Sequence, residues 1–161
     1  EMCIRGRYLT TQQFKRDPLT RALNRRYFYL DADRLMKSKC LTAVISIDLN
    51  DLKRFNDENG HAAGDTALCT IVACIQNILP RGCHLYRTGG DEFMILCSRV
   101  SKDDVPALIE HMRRELSKTL YCCAIGFATP DADEDFEHIC SIADAAMYAN
   151  KKQLKGEDAI R

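Results

Sequence analysis

Tryptophan is absent from the sequence, proline occurs only four times, and no apolar run approaches the roughly 20 residues that a bilayer-spanning helix needs. The first ten residues, EMCIRGRYLT, contain no apolar signal-peptide core. An excess of either charge is also missing: 23 basic residues stand against 23 acidic ones. With no global field to draw in nucleic acid or an anionic membrane, any affinity for phosphate has to come from a local cluster. Cysteine is plentiful, at nine, but no pair has C-x-x-C spacing, and His61, His84, His111 and His138 are scattered without ligand-like spacing. That excludes the common zinc frameworks. Most cysteines lie in apolar runs (Cys69, Cys74, Cys97, Cys122, Cys123), so they are expected to be reduced, small hydrophobes in a cytoplasmic protein.

What is present suits one domain. A chain of 161 residues with 46% hydrophobic and 29% charged residues can close a single core. Residues 5–16, RGRYLTTQQFKR, are polar and are expected to end a helical linker, which Asp17-Pro18 breaks. Phe28, Ala32, Leu35 and Met36 predict a helix from Asn24. LTAVISIDL at 41–49 is a β-branched run that predicts a strand buried on both faces. A polar helical segment follows and stops at Gly60. The next helix carries Leu68, Ile71, Val72, Ile75, Ile78 and Leu79, and ends at Pro80. CHLY and FMILC read as a hairpin joined by RTGGDEF at 87–93. Ser101 with Asp104 resembles a capping box before a helix bearing Val105, Leu108, Ile109, Met112 and Leu116. LYCCAIGFAT is another strand, and Ile139, Ile142, Ala143, Ala146 and Met147 mark a last helix. A hairpin combined with helical crossovers predicts a mixed sheet covered by helices.

Asp48 ends the first buried strand, where sheets with helical crossovers place ligands. Asp91 and Glu92 are adjacent at the hairpin and repel each other unless a cation or a proton intervenes. Two readings stand on these residues alone: a Mg²⁺ site completed by water and substrate phosphate, or a solvated acidic turn. Lys53, Arg87, Lys151 and Lys155 would suit a polyphosphate if they converged with the acids, and would otherwise be surface charges.

Five segments, in order, carry a family likeness: DPLTRALNRR (17–26), DLNDLKRFNDENGHAAGD (48–65), RTGGDEF (87–93), its core GGDEF (89–93), and ADAAMYANKK (143–152). The chain resembles the GGDEF family of diguanylate cyclases over residues 17 to about 158. The resemblance implies an α/β (α+β) fold like the palm of nucleotidyl cyclases and polymerases: a mixed, mainly antiparallel five-stranded sheet covered by helices. Residues 17–161 would be the catalytic domain and 1–16 the end of a helical linker from an upstream sensor domain. It further implies a homodimer in which each subunit holds one GTP, yielding cyclic di-GMP and two pyrophosphates, with no nucleic acid partner and no membrane contact from this segment.

By position, Asp48, the backbone carbonyl of Leu49, Asp91 and Glu92 resemble the Mg²⁺ ligands, with Mn²⁺ as the other ion such a site takes. Asp91 resembles the general base and Glu92 part of the metal environment. Lys53, Lys151 and Lys155 match phosphate contacts, the last standing where the family usually has Arg. Asn56 and Asp65 match a guanine-reading pair, Arg87 borders the substrate, and Gly89 and Gly90 would let main chain approach the nucleotide at a tight turn. Loop amides near 49–53 are expected to cradle phosphates. Asn50 replaces the family's frequent Asp, and Pro80-Arg81-Gly82-Cys83 stands where product-inhibited members carry Arg-x-x-Asp. An active cyclase is the expectation; the other readings are a catalytically silent domain that binds GTP or cyclic di-GMP, and a dimerisation module.

Overall fold

The computed structural model describes residues 14–158; most of the expected linker, residues 1–13, lies outside them. Five strands form one sheet: β1 (Leu23–Asn24), β2 (Ala43–Leu49), β3 (Cys83–Arg87), β4 (Glu92–Cys97) and β5 (Cys123–Ala128), in the order β1-β3-β4-β2-β5. Five helices accompany them: α1 (Arg25–Lys37), α2 (Leu52–Asn59), α3 (His61–Ile78), α4 (Val105–Leu116) and α5 (Phe136–Asp158). Only β1–β3 is parallel; the other three pairings are antiparallel, so the sheet is mixed and mainly antiparallel as expected.

Side-chain alternation sorts the sheet into two apolar layers. Ala43, Ile45, Ile47 and Leu49 of β2, with Phe93, Ile95 and Cys97 of β4, face α3 and α4. Val44, Met94, Leu96 and Tyr86 face α1 and α5. All seven residues of β2 are buried, and the strand is apolar except at Ser46 and Asp48. The helices show the complementary spacing: Ala67, Leu68, Ile71, Val72 and Ile75 of α3, and Val105, Ile109, Met112 and Leu116 of α4, are buried on one stripe each.

Local signals explain the ends. Asn24 caps α1 by accepting from the Tyr27 amide, and Gly60, at φ 87°, separates α2 from α3 in a conformation that disfavours other residues. Ser101 accepts from the Asp104 amide as its capping role requires, but it opens a short 3₁₀ turn (Lys102–Asp104) ahead of α4. Residues 14–16 form a turn and a bridge rather than the end of a helix: Arg16 pairs with Leu23, and the Asn24 amide donates to the Lys15 carbonyl.

Strand β5 is an edge, and its outward groups at the centre are taken by side chains. The Ile125 amide donates to Asn150 Oδ1 (2.9 Å), and Arg113 Nη2 donates to the Ile125 carbonyl (3.3 Å). Helix α5 lies close on β5 because Gly126 has no side chain: a Cβ there would stand 2.0 Å from the Met147 nitrogen. Ser46 on β2 donates to Asp144 Oδ1 (2.6 Å), a second tie between α5 and the sheet.

Candidate active site

Residue 48 is the sixth of seven in a strand buried from end to end, yet it is an aspartate, and only 7% of it is exposed. A buried carboxylate needs a partner. Asp48 has one in Lys151 of α5, whose Nζ donates to Asp48 Oδ1 at 2.6 Å. The ties that hold α5 to the sheet, Ser46 to Asp144 and Ile125 to Asn150, lie just before Lys151 on the helix.

Asp91 arrives from the β3–β4 turn. Its carbonyl accepts from the Leu49 amide (3.0 Å), which stitches the turn to the end of β2, while Glu92 is the register partner of Asp48. The electrostatics agree with this proximity. Burial pulls the Lys151 ammonium down, but the hydrogen bond and charge of Asp48, with the charges of Asp91 and Asp51, outweigh it and raise its pKa. The residues at 48 and 91 therefore meet at one end of the sheet, from separate elements, beside a common cation.

Lys155, one turn beyond Lys151, pairs with Asp51 (3.2 Å). Asp51 precedes α2 in a left-handed conformation (φ 55°), which aspartate tolerates better than most side chains. Of the loop amides expected to cradle phosphate, those of Leu49 and Asn50 are engaged, the latter with the Cys122 carbonyl (2.9 Å). The first helical bond of α2 runs from the Phe55 amide to the Asp51 carbonyl (2.9 Å), so the amides of Leu52, Lys53 and Arg54 precede the helix's own ladder. Lys53 is exposed on α2. A cavity of about 200 Å³ borders the same loop, lined by Asn50, Asp51, Phe55, Tyr121, Cys122 and Lys155 among others.

Asn56 and Asp65 lie on consecutive helices. Asp65 is exposed, whereas the Oδ1 of Asn56 is buried with no hydrogen-bond partner. Gly64 makes room for it, since a Cβ there would stand 1.8 Å from Asn56 Oδ1. An unpaired buried acceptor is costly unless something else supplies a donor. Asn50 Oδ1 is a second such atom; its Nδ2 approaches Cys122 Sγ at 3.4 Å.

The turn itself differs from expectation. Neither Gly89 nor Gly90 has positive φ. A Cβ at Gly89 would meet Glu92 Oε2 at 2.6 Å, so the Glu92 side chain would have to shift, and Gly90 has open space around its Cα. Arg87, expected beside substrate, has its guanidinium engaged: Nη1 to Asp17 Oδ2 (3.1 Å), Nη2 to the Gly90 carbonyl (2.7 Å), and Nε to Gly89 and Gly90 (3.3 Å each). Asp17 also accepts from the Thr20 amide and hydroxyl. The sequence pointed to none of this, since Asp17 reads as a helix breaker and nothing local marks it as the partner of a residue 70 positions away.

Among the described residues, no group of three or more His, Cys, Asp or Glu side chains is gathered so as to hold a metal by itself. Mg²⁺ does not require one, because it takes one or two carboxylates and completes its shell with water and phosphate. The hard oxygen donors of Asp48 and Asp91, on adjoining elements, fit that habit. The cysteines behave as the composition suggests: burial pushes Cys123 well up and Cys140 up to about 12, so these thiols stay protonated.

A family model described as diguanylate cyclase, GGDEF domain, matches residues 14–157. Diguanylate cyclase DgcM of Escherichia coli (strain K12) is 28% identical over 145 residues, covering 84% of this chain and 35% of its own. Cyclic di-GMP phosphodiesterase PdeR of the same strain is 32% identical over 126 residues, 73% of this chain and 19% of its own. The chain thus spans about a third or less of the length of these curated relatives. Among solved structures, the GGDEF domain of DgcB from Caulobacter crescentus in complex with c-di-GMP superposes with a TM-score of 0.80 at 26% identity, over 86% of this chain and 88% of that one.

Proposed function

The chain belongs to the diguanylate cyclase GGDEF domain family, and from that premise we propose that it joins two molecules of GTP into cyclic di-GMP and two pyrophosphates, at a centre formed where two copies face each other. The observation that carries this reading is the meeting of Asp48, Lys151 and Asp91 at one end of the sheet.

Each residue has a task that its chemistry suits. Asp91 takes the proton from the attacking 3′-hydroxyl as the oxygen closes on the α-phosphorus of the facing GTP. Lys151 stays charged across the neutral range, because Asp48 and Asp91 hold its proton, and so meets phosphate as a cation. Lys151, Lys155 and Lys53 offset the charge that gathers as pyrophosphate departs. Asp65 accepts from N1–H and the exocyclic amine of guanine, and Asn56 Oδ1 is the buried acceptor for which the base would supply a donor; adenine lacks that donor pattern. Asp48, Asp91, the Leu49 carbonyl and Glu92 would hold Mg²⁺, or Mn²⁺, which lowers the charge on the triphosphate when bound. Arg87 contributes by fixing the main chain of the turn at Gly89 and Gly90, between the strand end and Asp91.

The test is direct. The chain, incubated with GTP and Mg²⁺, should form cyclic di-GMP resolvable by chromatography, and Asp91→Ala should form none. Retention of GTP without product, by a chain shown to dimerise, would favour the second reading: a silent domain that binds GTP or cyclic di-GMP and signals by conformation. The similarity to PdeR, named as a phosphodiesterase, favours that alternative. In either case the chain would act as the cytoplasmic output of a larger sensor. No helix among the described residues is long and apolar enough to cross a membrane.

A further inference from the structure

Cys83 opens β3 and Cys97 closes β4, and the two are register partners at the base of the hairpin whose far end carries the RTGGDEF turn. Their sulfurs stand 3.0 Å apart. Both side chains belong to the layer that faces α3 and α4, so they project from the same face of the sheet. The backbone bonds of the pair run elsewhere: the Cys83 amide donates to the Pro80 carbonyl, and the Cys97 carbonyl accepts from Thr42. The two residues are therefore a non-hydrogen-bonded antiparallel pair. Such pairs hold their Cα atoms about 4.5 Å apart, inside the roughly 4.4–6.8 Å range that a disulfide spans.

We propose that Cys83 and Cys97 are a site of reversible oxidation, forming an intrachain cross-strand disulfide that staples β3 to β4. The bond can close without moving either strand, since partners and side-chain direction are already set by the ladder. Strand β1 pairs with β3 only at Tyr86 and Arg87, so among the described residues no strand pairs with β3 at Cys83–Leu85 on that side. Cys83 is the outer thiol, at 7% exposure against 0% for Cys97. The hydrogen bond between the two sulfurs splits the pair, with Cys83 drawn below the usual thiol range and Cys97 pushed above it; this and its outer position suit Cys83 as attacker and Cys97 as the resolving group.

With a small disulfide as oxidant, the Cys83 thiolate attacks one sulfur, forms a mixed disulfide and releases one oxidant thiol. Cys97 then displaces the second, so that the protein loses two hydrogens and two electrons and the oxidant is reduced to two thiols. Exposed Cys40 and Cys122 compete for oxidant, so the test uses Cys3, Cys40 and Cys122 replaced by serine.

After oxidation and digestion under denaturing, thiol-blocked conditions, mass spectrometry should find the peptides containing Cys83 and Cys97 linked. The midpoint of thermal unfolding should rise by about 5–10 °C and fall back on reduction. Cys83→Ala and Cys97→Ala, made separately, should each abolish the rise; if one fails to fold, the other and the peptide map decide. Recovery of both cysteines as blocked thiols, or a link that maps to another pair, would overturn the proposal. Neither readout depends on turnover of GTP, so its outcome is separate from that of the functional reading.

Discussion

Arg87 Nη1 lies 3.1 Å from Asp17 Oδ2, and the same guanidinium holds the carbonyls of Gly89 and Gly90. One residue thus ties the chain segment before β1 to the turn that carries Asp91. Both side chains are more than four-fifths buried, so the pair is shielded from solvent far better than a surface bridge. Asp17→Ala should cost about 1.5–3 kcal/mol, the range for hydrogen bonds to charged groups, read as a lower urea midpoint.

The same pair predicts a pH response. Burial raises the Asp17 pKa, but hydrogen bonds from Thr20 and Arg87 and the charge of Arg87 outweigh it, so the carboxyl titrates below its ordinary value. A depressed carboxyl contributes stability that is complete above the unfolded value, about 3.9, and is lost as pH falls through the folded value. The stability gap between the parent and Asp17→Asn should therefore be constant near neutrality and shrink below about pH 4. A gap that widened on acidification would contradict the assignment.

Gly64→Ala should act on the proposed base pocket rather than on the fold. The added methyl would stand 1.8 Å from Asn56 Oδ1, at the end of a side chain that can swing away. The expected result is a melting temperature close to that of the parent, with KM for GTP raised by about tenfold and the preference for GTP over ATP narrowed. Steady-state kinetics with both nucleotides measure it.

Gly126→Ala should behave in the opposite way. Its methyl would meet backbone, 2.0 Å from the Met147 nitrogen and 2.5 Å from the Ala143 carbonyl, and no side-chain movement relieves that. Helix α5 must back off the sheet, carrying Lys151 away from Asp48. Thermal and urea melts should show a loss of at least about 1–3 kcal/mol, the usual cost of overpacking, and turnover should fall along with stability.

The window at Pro80–Cys83 offers no carboxylate, and its last residue is the buried Cys83. Cyclic di-GMP is thus not expected to find the usual high-affinity inhibitory site at this window. Calorimetry on Asp91→Ala loaded with a non-hydrolysable GTP analogue should show no sub-micromolar site for the product.

Legibility in the sequence followed the range of the interactions. The burial of β2, the stripes of α3 and α4, and the hairpin around Asp91 were all readable, because each rests on local periodicity or on turn residues. Strand β1 was not: two residues carry no period, and its place in the sheet depends on β3, some 60 positions on. The acids and lysines of the site were readable as candidates from the likeness. Their pairing was not, since Asp48 meets Lys151 across 103 positions and Asp51 meets Lys155 across 104. Asp144 passes for a solvated charge on α5 until Ser46, an isolated hydroxyl in an apolar strand, is seen donating to it. Asn50 looked like a lost charge; in the structure its amide nitrogen is spent on Cys122.

An outermost strand with vacant amides and carbonyls is a template on which other chains can polymerise into ribbons. At the midpoint of β5 both valences of Ile125 are already satisfied, by Asn150 from one helix and Arg113 from another. Copies of this domain crowded together thereby find that seam blocked at its centre. Stripping Asn150 and Arg113 to alanine together would reopen that seam, and a domain that stays dispersed when concentrated should begin to scatter light.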